Sequence, residues 1–142
     1  MAITRIGHTA LLVRDMKKSS EFYTKILGFE KVFSITDDED KPWIEYFRIA
    51  EGQFIELFYS RGEPDLDAER RIGYQHVCYE VDDIHETEKE IQKKGGRLDR
   101  PIKMGKDGNY QMWVKDPDGN RIELMQIMPD SLHAKAGRGN RK

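Results

Sequence analysis

The chain has 142 residues, 35% of them charged and 37% hydrophobic, with a formal net charge of -2. That is enough sequence for one compact domain with its own core, and the near-neutral charge gives no reason to expect nucleic acid or an anionic membrane as a partner. Cys78 is the single cysteine, which excludes an intramolecular disulfide, and no run of about 18 apolar residues occurs, so a soluble cytoplasmic protein acting on a small molecule is expected.

Taken in chain order, Ile6 to Val13 reads as a strand with His8, Ala10 and Leu12 on one face and Thr9, Leu11 and Val13 on the other. Both faces are mostly apolar, the pattern of a sheet covered on both sides, and His8 is out of place in it. Asp15 is placed to cap a helix from Lys17 to Leu27, with an apolar stripe of Phe22, Tyr23, Ile26 and Leu27 and with Gly28 as terminator. A strand from Phe29 to Ile35 follows, then the acidic loop Asp37 to Asp40. Trp43 to Ile49 and Gln53 to Tyr59 read as two strands joined by the short connection Ala50-Glu51-Gly52. Ser60 to Gly73 has the composition of a linker.

From Tyr74 the order recurs. A strand Tyr74 to Val81 leads to a helix from Ile84 to about Lys94 that Gly95-Gly96 ends, then come a strand from Arg97 to Ile102 and a Gly-rich loop at Gly105 to Gly108, which could serve as a lid. Strand Tyr110 to Val114, the turn Asp116 to Asn120 and strand Arg121 to Ile127 complete it, and residues 129–142 read as a flexible tail. A shift of 68 carries His8 onto His76, Asp15 onto Asp83 and Gly28 onto Gly96, while a shift of 67 carries Ile55-Glu56-Leu57 onto Ile122-Glu123-Leu124. Such an internal repeat argues for two copies of one β-α-β-β-β unit, an α+β architecture. The expected division is one domain over 1–128, with module one at about 3–60, a linker at about 61–73 and module two at about 74–128.

Each copy supplies a histidine from its first strand and a glutamate from its last. A carboxylate within an otherwise apolar strand costs free energy unless something pairs with it, and Phe54 and Phe58 share the face of Glu56. Two imidazoles and two carboxylates, from His8, Glu56, His76 and Glu123, form a ligand set suited to one borderline divalent ion such as Zn²⁺, Ni²⁺ or Co²⁺. Cys78, two positions after His76, points to the same face and could line the cavity, though the favoured reading is a small buried hydrophobe; His85 and His133 read as surface residues.

The segments Val13-Arg14-Asp15, Phe22 to Phe29, Ile55-Glu56-Leu57 and Asp116 to Leu124, with His8 and His76, resemble the vicinal oxygen chelate superfamily. That group includes glyoxalase I, extradiol dioxygenases, fosfomycin-modifying enzymes, methylmalonyl-CoA epimerase and bleomycin-binding proteins. The resemblance implies paired βαβββ modules that form cupped sheets around a divalent metal. Because Glu56 stands where the epimerase has glutamine, the ligand pattern is that of glyoxalase I (lactoylglutathione lyase). The implied reaction is isomerisation of the hemithioacetal of a 2-oxoaldehyde, by proton abstraction through a metal-stabilised enediolate. Glu123 would be the base and Glu56 its counterpart, the metal Ni²⁺ or Zn²⁺ with Co²⁺ also accommodated, and the assembly a homodimer with metal sites shared between subunits. Arg61 is a candidate for holding a substrate carboxylate. The alternatives are an epimerase or thiol transferase on the same scaffold, or a non-enzymatic small-molecule-binding resistance module.

Overall fold

The computed structural model describes residues 5–61 and 74–137. The chain divides into two compact units, Met1–Asp67 and Ala68–Lys142. In the first, β1 (His8–Val13) is followed by α1 (Met16–Glu21), a π-helical stretch (Phe22–Ile26), β2 (Glu30–Thr36), β3 (Pro42–Ala50) and β4 (Gln53–Tyr59). In the second, β5 (Val77–Glu80), α2 (Ile84–Lys93), β6 (Arg100–Met104), β7 (Tyr110–Lys115) and β8 (Arg121–Gln126) repeat the order, and a short α3 (Leu132–Gly137) follows. The sheets run β1-β4-β3-β2 and β5-β8-β7-β6, so the duplication seen in the sequence is a duplication of topology. In each sheet the first and last strands pair in parallel at one edge and the remaining pairs are antiparallel. The linker expected at 61–73 falls, apart from Arg61, outside the described residues, as does the tail beyond Gly137.

One face of each sheet is closed by its helix. In the first unit Leu11, Val13, Tyr23, Phe47, Ile55 and Leu57 are buried, and in the second Ile84, Ile91, Met112, Val114, Ile122 and Leu124 are. The opposite face of β1 is not covered as the sequence suggested: His8 and Ala10 are exposed and Leu12 is 64% exposed. The helix begins where expected, with Asp15 Oδ1 accepting the Lys18 N–H at 3.1 Å. It does not continue as a regular α-helix to Leu27, because Leu27 N–H bonds five residues back to Phe22 O at 3.2 Å. This wider turn buries Tyr23 completely and leaves the other members of the expected stripe, Phe22, Ile26 and Leu27, half-buried.

α2 is capped more strongly. Asp83 Oδ1 accepts the N–H groups of His85 at 2.9 Å and Glu86 at 3.0 Å, satisfying two donors that the first turn would otherwise leave unpaired. Its other end closes with Gly96 N–H on Ile91 O at 2.8 Å, which requires the left-handed backbone that Gly95 adopts (φ 84°). Asp83→Ala is therefore expected to lower stability by about 1 kcal/mol, read as a lower denaturant midpoint with an unchanged slope. A midpoint equal to wild type would refute the cap's role.

Two expectations for the C-terminal part are corrected. The Gly105–Gly108 loop is no free lid: buried Asn109 accepts the Met128 N–H at 2.8 Å and donates to Asp107 Oδ2 at 3.0 Å, and Leu132 N–H bonds Asp107 O at 2.8 Å. Residues after Pro129 are not loose as far as Gly137, since buried Ser131 caps α3 by accepting the Ala134 N–H at 3.0 Å. The first segment is Gly-rich and the second mostly small and polar, and the order comes from one buried asparagine that joins them.

Candidate active site

Each glutamate is fixed by a short chain of local causes. Pairing of β4 with β1 sets Ala10 beside Glu56 and His8 beside Phe54, so His8 is one residue pair away on the same face. There His8 Nε2 lies 3.3 Å from Glu56 Oε2. In the second unit the buried Asp116 organises the turn before β8, its Oδ1 accepting the N–H groups of Asp118 at 3.0 Å and Asn120 at 2.8 Å. With the strand so started, Cys78 and Trp113 flank Glu123, and His76 Nε2 stands 3.1 Å from Glu123 Oε2. Both carboxylates are 7% exposed, on the sheet face away from the helix.

The two pairs differ in their neighbours. The Tyr46 hydroxyl donates to Glu56 Oε1, and its ring stacks on Phe33 with centroids 4.2 Å apart. Phe33, Leu12, Phe54 and Phe58 make the surroundings of Glu56 apolar, and Arg48 on that face is neutralised by Glu30. Around Glu123 the surroundings are polar. The His76 ring meets Trp113 edge to face at 4.8 Å, and Cys78 lies opposite Glu123 in the β5–β8 pair. Packing of the surrounding protein and then the nearby Glu123 charge push the Cys78 thiol up to about 12, so it stays protonated at neutral pH. Cys78 is an exposed residue, which corrects the expectation of a buried hydrophobe. His85 and His133 are exposed as expected.

The donor sets suit a divalent cation. A nitrogen and an oxygen each about 2.1 Å from one ion, at an angle between square and tetrahedral, stand about 3.0 to 3.4 Å apart, which brackets both His–Glu separations. For His76 the case is stronger. Gln75 Oε1 and His76 Nδ1 are hydrogen-bond partners, and the ring so held presents Nε2 to the Glu123 carboxylate. Each pair supplies two ligands and no more: among the described residues no three His, Cys, Asp or Glu side chains gather as a metal-binding group. Arg61, the candidate substrate ligand, is ion-paired with Asp37, whose carboxyl is held below its usual range by the Lys41 N–H and by Arg61.

Sequence reasoning missed Tyr46, Gln75 and the two arginines that pack on Trp113. Tyr46 was hidden by backbone geometry: extending the hairpin uniformly from Ala50 and Gln53 would set Phe47 opposite Glu56, and a register shift between Arg48 and Ala50 puts Tyr46 there instead. Gln75 stands next to His76, and the habit of metal-binding histidines to donate their second nitrogen to a polar neighbour was the available signal.

Comparison with known proteins agrees with this layout. Residues 5–124 match the model of the Glyoxalase/Bleomycin resistance protein/Dioxygenase superfamily. A Vibrio cholerae protein named probable lactoylglutathione lyase is 38% identical over 132 residues, covering 89% of this chain and 93% of its own length. An Escherichia coli O157:H7 protein named lactoylglutathione lyase is 33% identical over 126 residues, covering 86% and 92%. Among solved structures, a glyoxalase family protein from Enterococcus faecalis superposes with a TM-score of 0.77 at 23% identity, covering 89% of this chain and all of that one, which bears on the fold alone. A superfamily member from Sphaerobacter thermophilus superposes with a TM-score of 0.70 at 28% identity, covering 88% and 98%. No helix among the described residues is long and apolar enough to cross a membrane. With its repeated topology, its paired His–Glu motifs and relatives that share most of its length, the chain belongs to the Glyoxalase/Bleomycin resistance protein/Dioxygenase superfamily.

Proposed function

We propose that the protein is a metal-dependent enzyme of the glyoxalase I type, isomerising the hemithioacetal formed by a 2-oxoaldehyde and a thiol. The observation that carries this reading is the recurrence, at equivalent places in two modules, of a buried carboxylate with an imidazole nitrogen 3.1 or 3.3 Å from it. The names of its relatives support the same activity. His8, Glu56, His76 and Glu123 would hold one divalent ion, Ni²⁺, Zn²⁺ or Co²⁺. Since each module supplies only two ligands, the reading includes a homodimer in which His8 and Glu56 of one protomer meet His76 and Glu123 of its partner.

When bound, the ion would act as a Lewis acid toward the substrate oxygens. Glu123 takes the proton from the carbon that carries the hydroxyl and sulfur, and returns it to the neighbouring carbon as the thioester forms. Atoms and electrons balance within the substrate, so no oxidant or second substrate is required. Glu123 is assigned as base in preference to Glu56 because a phenol O–H tethers Glu56, whereas the neighbour of Glu123 is a thiol, a weak donor that gives up little when the carboxylate swings. Glu56 is the counterpart that stays anchored. A role for Arg61 in substrate binding requires its guanidinium to leave Asp37.

The test is to load the purified protein with Ni²⁺, Zn²⁺ or Co²⁺ and follow thioester formation from methylglyoxal with several thiols. Metal-dependent turnover with at least one thiol supports the proposal. A tightly metal-loaded protein inert toward every adduct would favour an epimerase or thiol transferase, and one that binds no metal would favour a small-molecule-binding module.

A further inference from the structure

The repeat sets an aromatic residue directly across the ladder from each glutamate, and the two aromatics treat their carboxylates differently. In module one Tyr46 is the cross-strand partner of Glu56, and in module two Trp113 is the partner of Glu123. Each ring also meets the imidazole of its own module edge to face, Tyr46 with His8 at 6.2 Å and Trp113 with His76 at 4.8 Å between centroids. Aromatic ring, imidazole and carboxylate thus recur together on one side of each sheet. The difference lies in where each ring's single donor goes. The Tyr46 hydroxyl donates to Glu56 Oε1, whereas the Trp113 N–H goes to Gln111 Oε1 at 3.2 Å.

An indole has one donor, so a ring that spends it on Gln111 has none left for Glu123. The phenol is held by more than its hydrogen bond. Its ring stacks on Phe33 at 4.2 Å and meets Phe54 edge-on at 6.3 Å. Glu56 is 7% exposed, so little water competes for its oxygens. With Oε1 taken by the hydroxyl, Oε2 is the oxygen left for a ligand bond, and it stands 3.3 Å from His8 Nε2. A carboxylate whose second oxygen is hydrogen-bonded is oriented as a ligand and held from swinging toward a proton.

We infer that Tyr46 is a positioning residue: its hydroxyl presents one oxygen of Glu56 to the metal and keeps Glu56 from acting as a base. The division of labour between two repeat-related glutamates is then made by the residue across the ladder, and not by the glutamates themselves. The ligand-holding part needs only the metal site; the choice of base rests on the isomerase proposed above.

Tyr46→Phe removes the hydroxyl and keeps a ring to stack on Phe33, so it tests the hydrogen bond and not the packing. In the full-length protein, competition against a chromophoric chelator is expected to show nickel bound about tenfold more weakly in this variant. The visible spectrum of the cobalt-loaded variant should also differ from that of wild type, because the carboxylate is no longer held to one oxygen. Kinetics read the second part. Glu123→Gln should lose about tenfold less kcat in the Tyr46→Phe background than in wild type, since Glu56, released from the phenol, takes up the proton in its place. A nickel affinity or a cobalt spectrum unchanged in Tyr46→Phe, or the same Glu123→Gln loss in both backgrounds, would overturn the inference. A protein that turns over a thiol adduct yet fails these comparisons loses only the role of Tyr46. One that turns over no adduct loses the isomerase reading, and the nickel and cobalt measurements then decide for or against Tyr46 by themselves.

Discussion

Replacing Glu123 with glutamine is expected to reduce kcat by about 10²- to 10⁴-fold, the range a positioned general base contributes, with a folded, metal-loaded protein. The amide is nearly isosteric, so the side chain keeps its place between Cys78 and Trp113, and its oxygen could still serve as a ligand to the proposed metal. What is lost is the ability to accept a proton. Glu56→Gln should cost less, because Glu56, tethered by Tyr46, is assigned to hold the ion and not to move. Steady-state kinetics with metal in excess read the difference. A larger kcat loss in Glu56→Gln than in Glu123→Gln would exchange the two roles.

The second large effect follows from dividing four ligands between two modules. Chelation should take activity to the uncatalysed rate, and added metal should restore it. His8→Ala with Glu56→Ala, or His76→Ala with Glu123→Ala, should leave a protein that neither holds metal tightly nor turns over. If ligands are shared across a two-fold dimer, refolding the two double variants together rebuilds one intact site in each mixed dimer, and about a quarter of wild-type activity should return. If each chain completes its own site, no mixture of the two recovers activity. The experiment therefore separates the homodimeric arrangement from a single-chain one without a structure of the complex.

How far the sequence announced this protein can be judged from particular residues. The β-α-β-β-β repeat was legible because it left identical residues at matched spacing, and the strand order is the same in both units. The four ligand candidates were legible for the same reason. Tyr46 was not, since one bulge in β3 decides whether a tyrosine or a phenylalanine faces Glu56, and bulges leave little trace in composition. Arg100 and Arg121 are also invisible as a pair: they are far apart in the chain and become neighbours only through Trp113, two strand pairings removed from any local pattern. The order of the Gly105–Gly108 loop depended on Asn109 reaching Met128, a contact between segments that each read as irregular. Cys78 failed the usual expectation for a lone cysteine because the face it shares with Glu123 is the one its helix does not cover.

The central claim is that His8 and His76 bind the same ion. X-ray absorption of the nickel-loaded protein, compared with His8→Ala and His76→Ala loaded at high nickel, tests it most directly. Two imidazoles in the wild-type shell, with one lost in each variant, is the predicted result. A shell that keeps every imidazole when His8 is removed, or contains none at the start, would contradict the account.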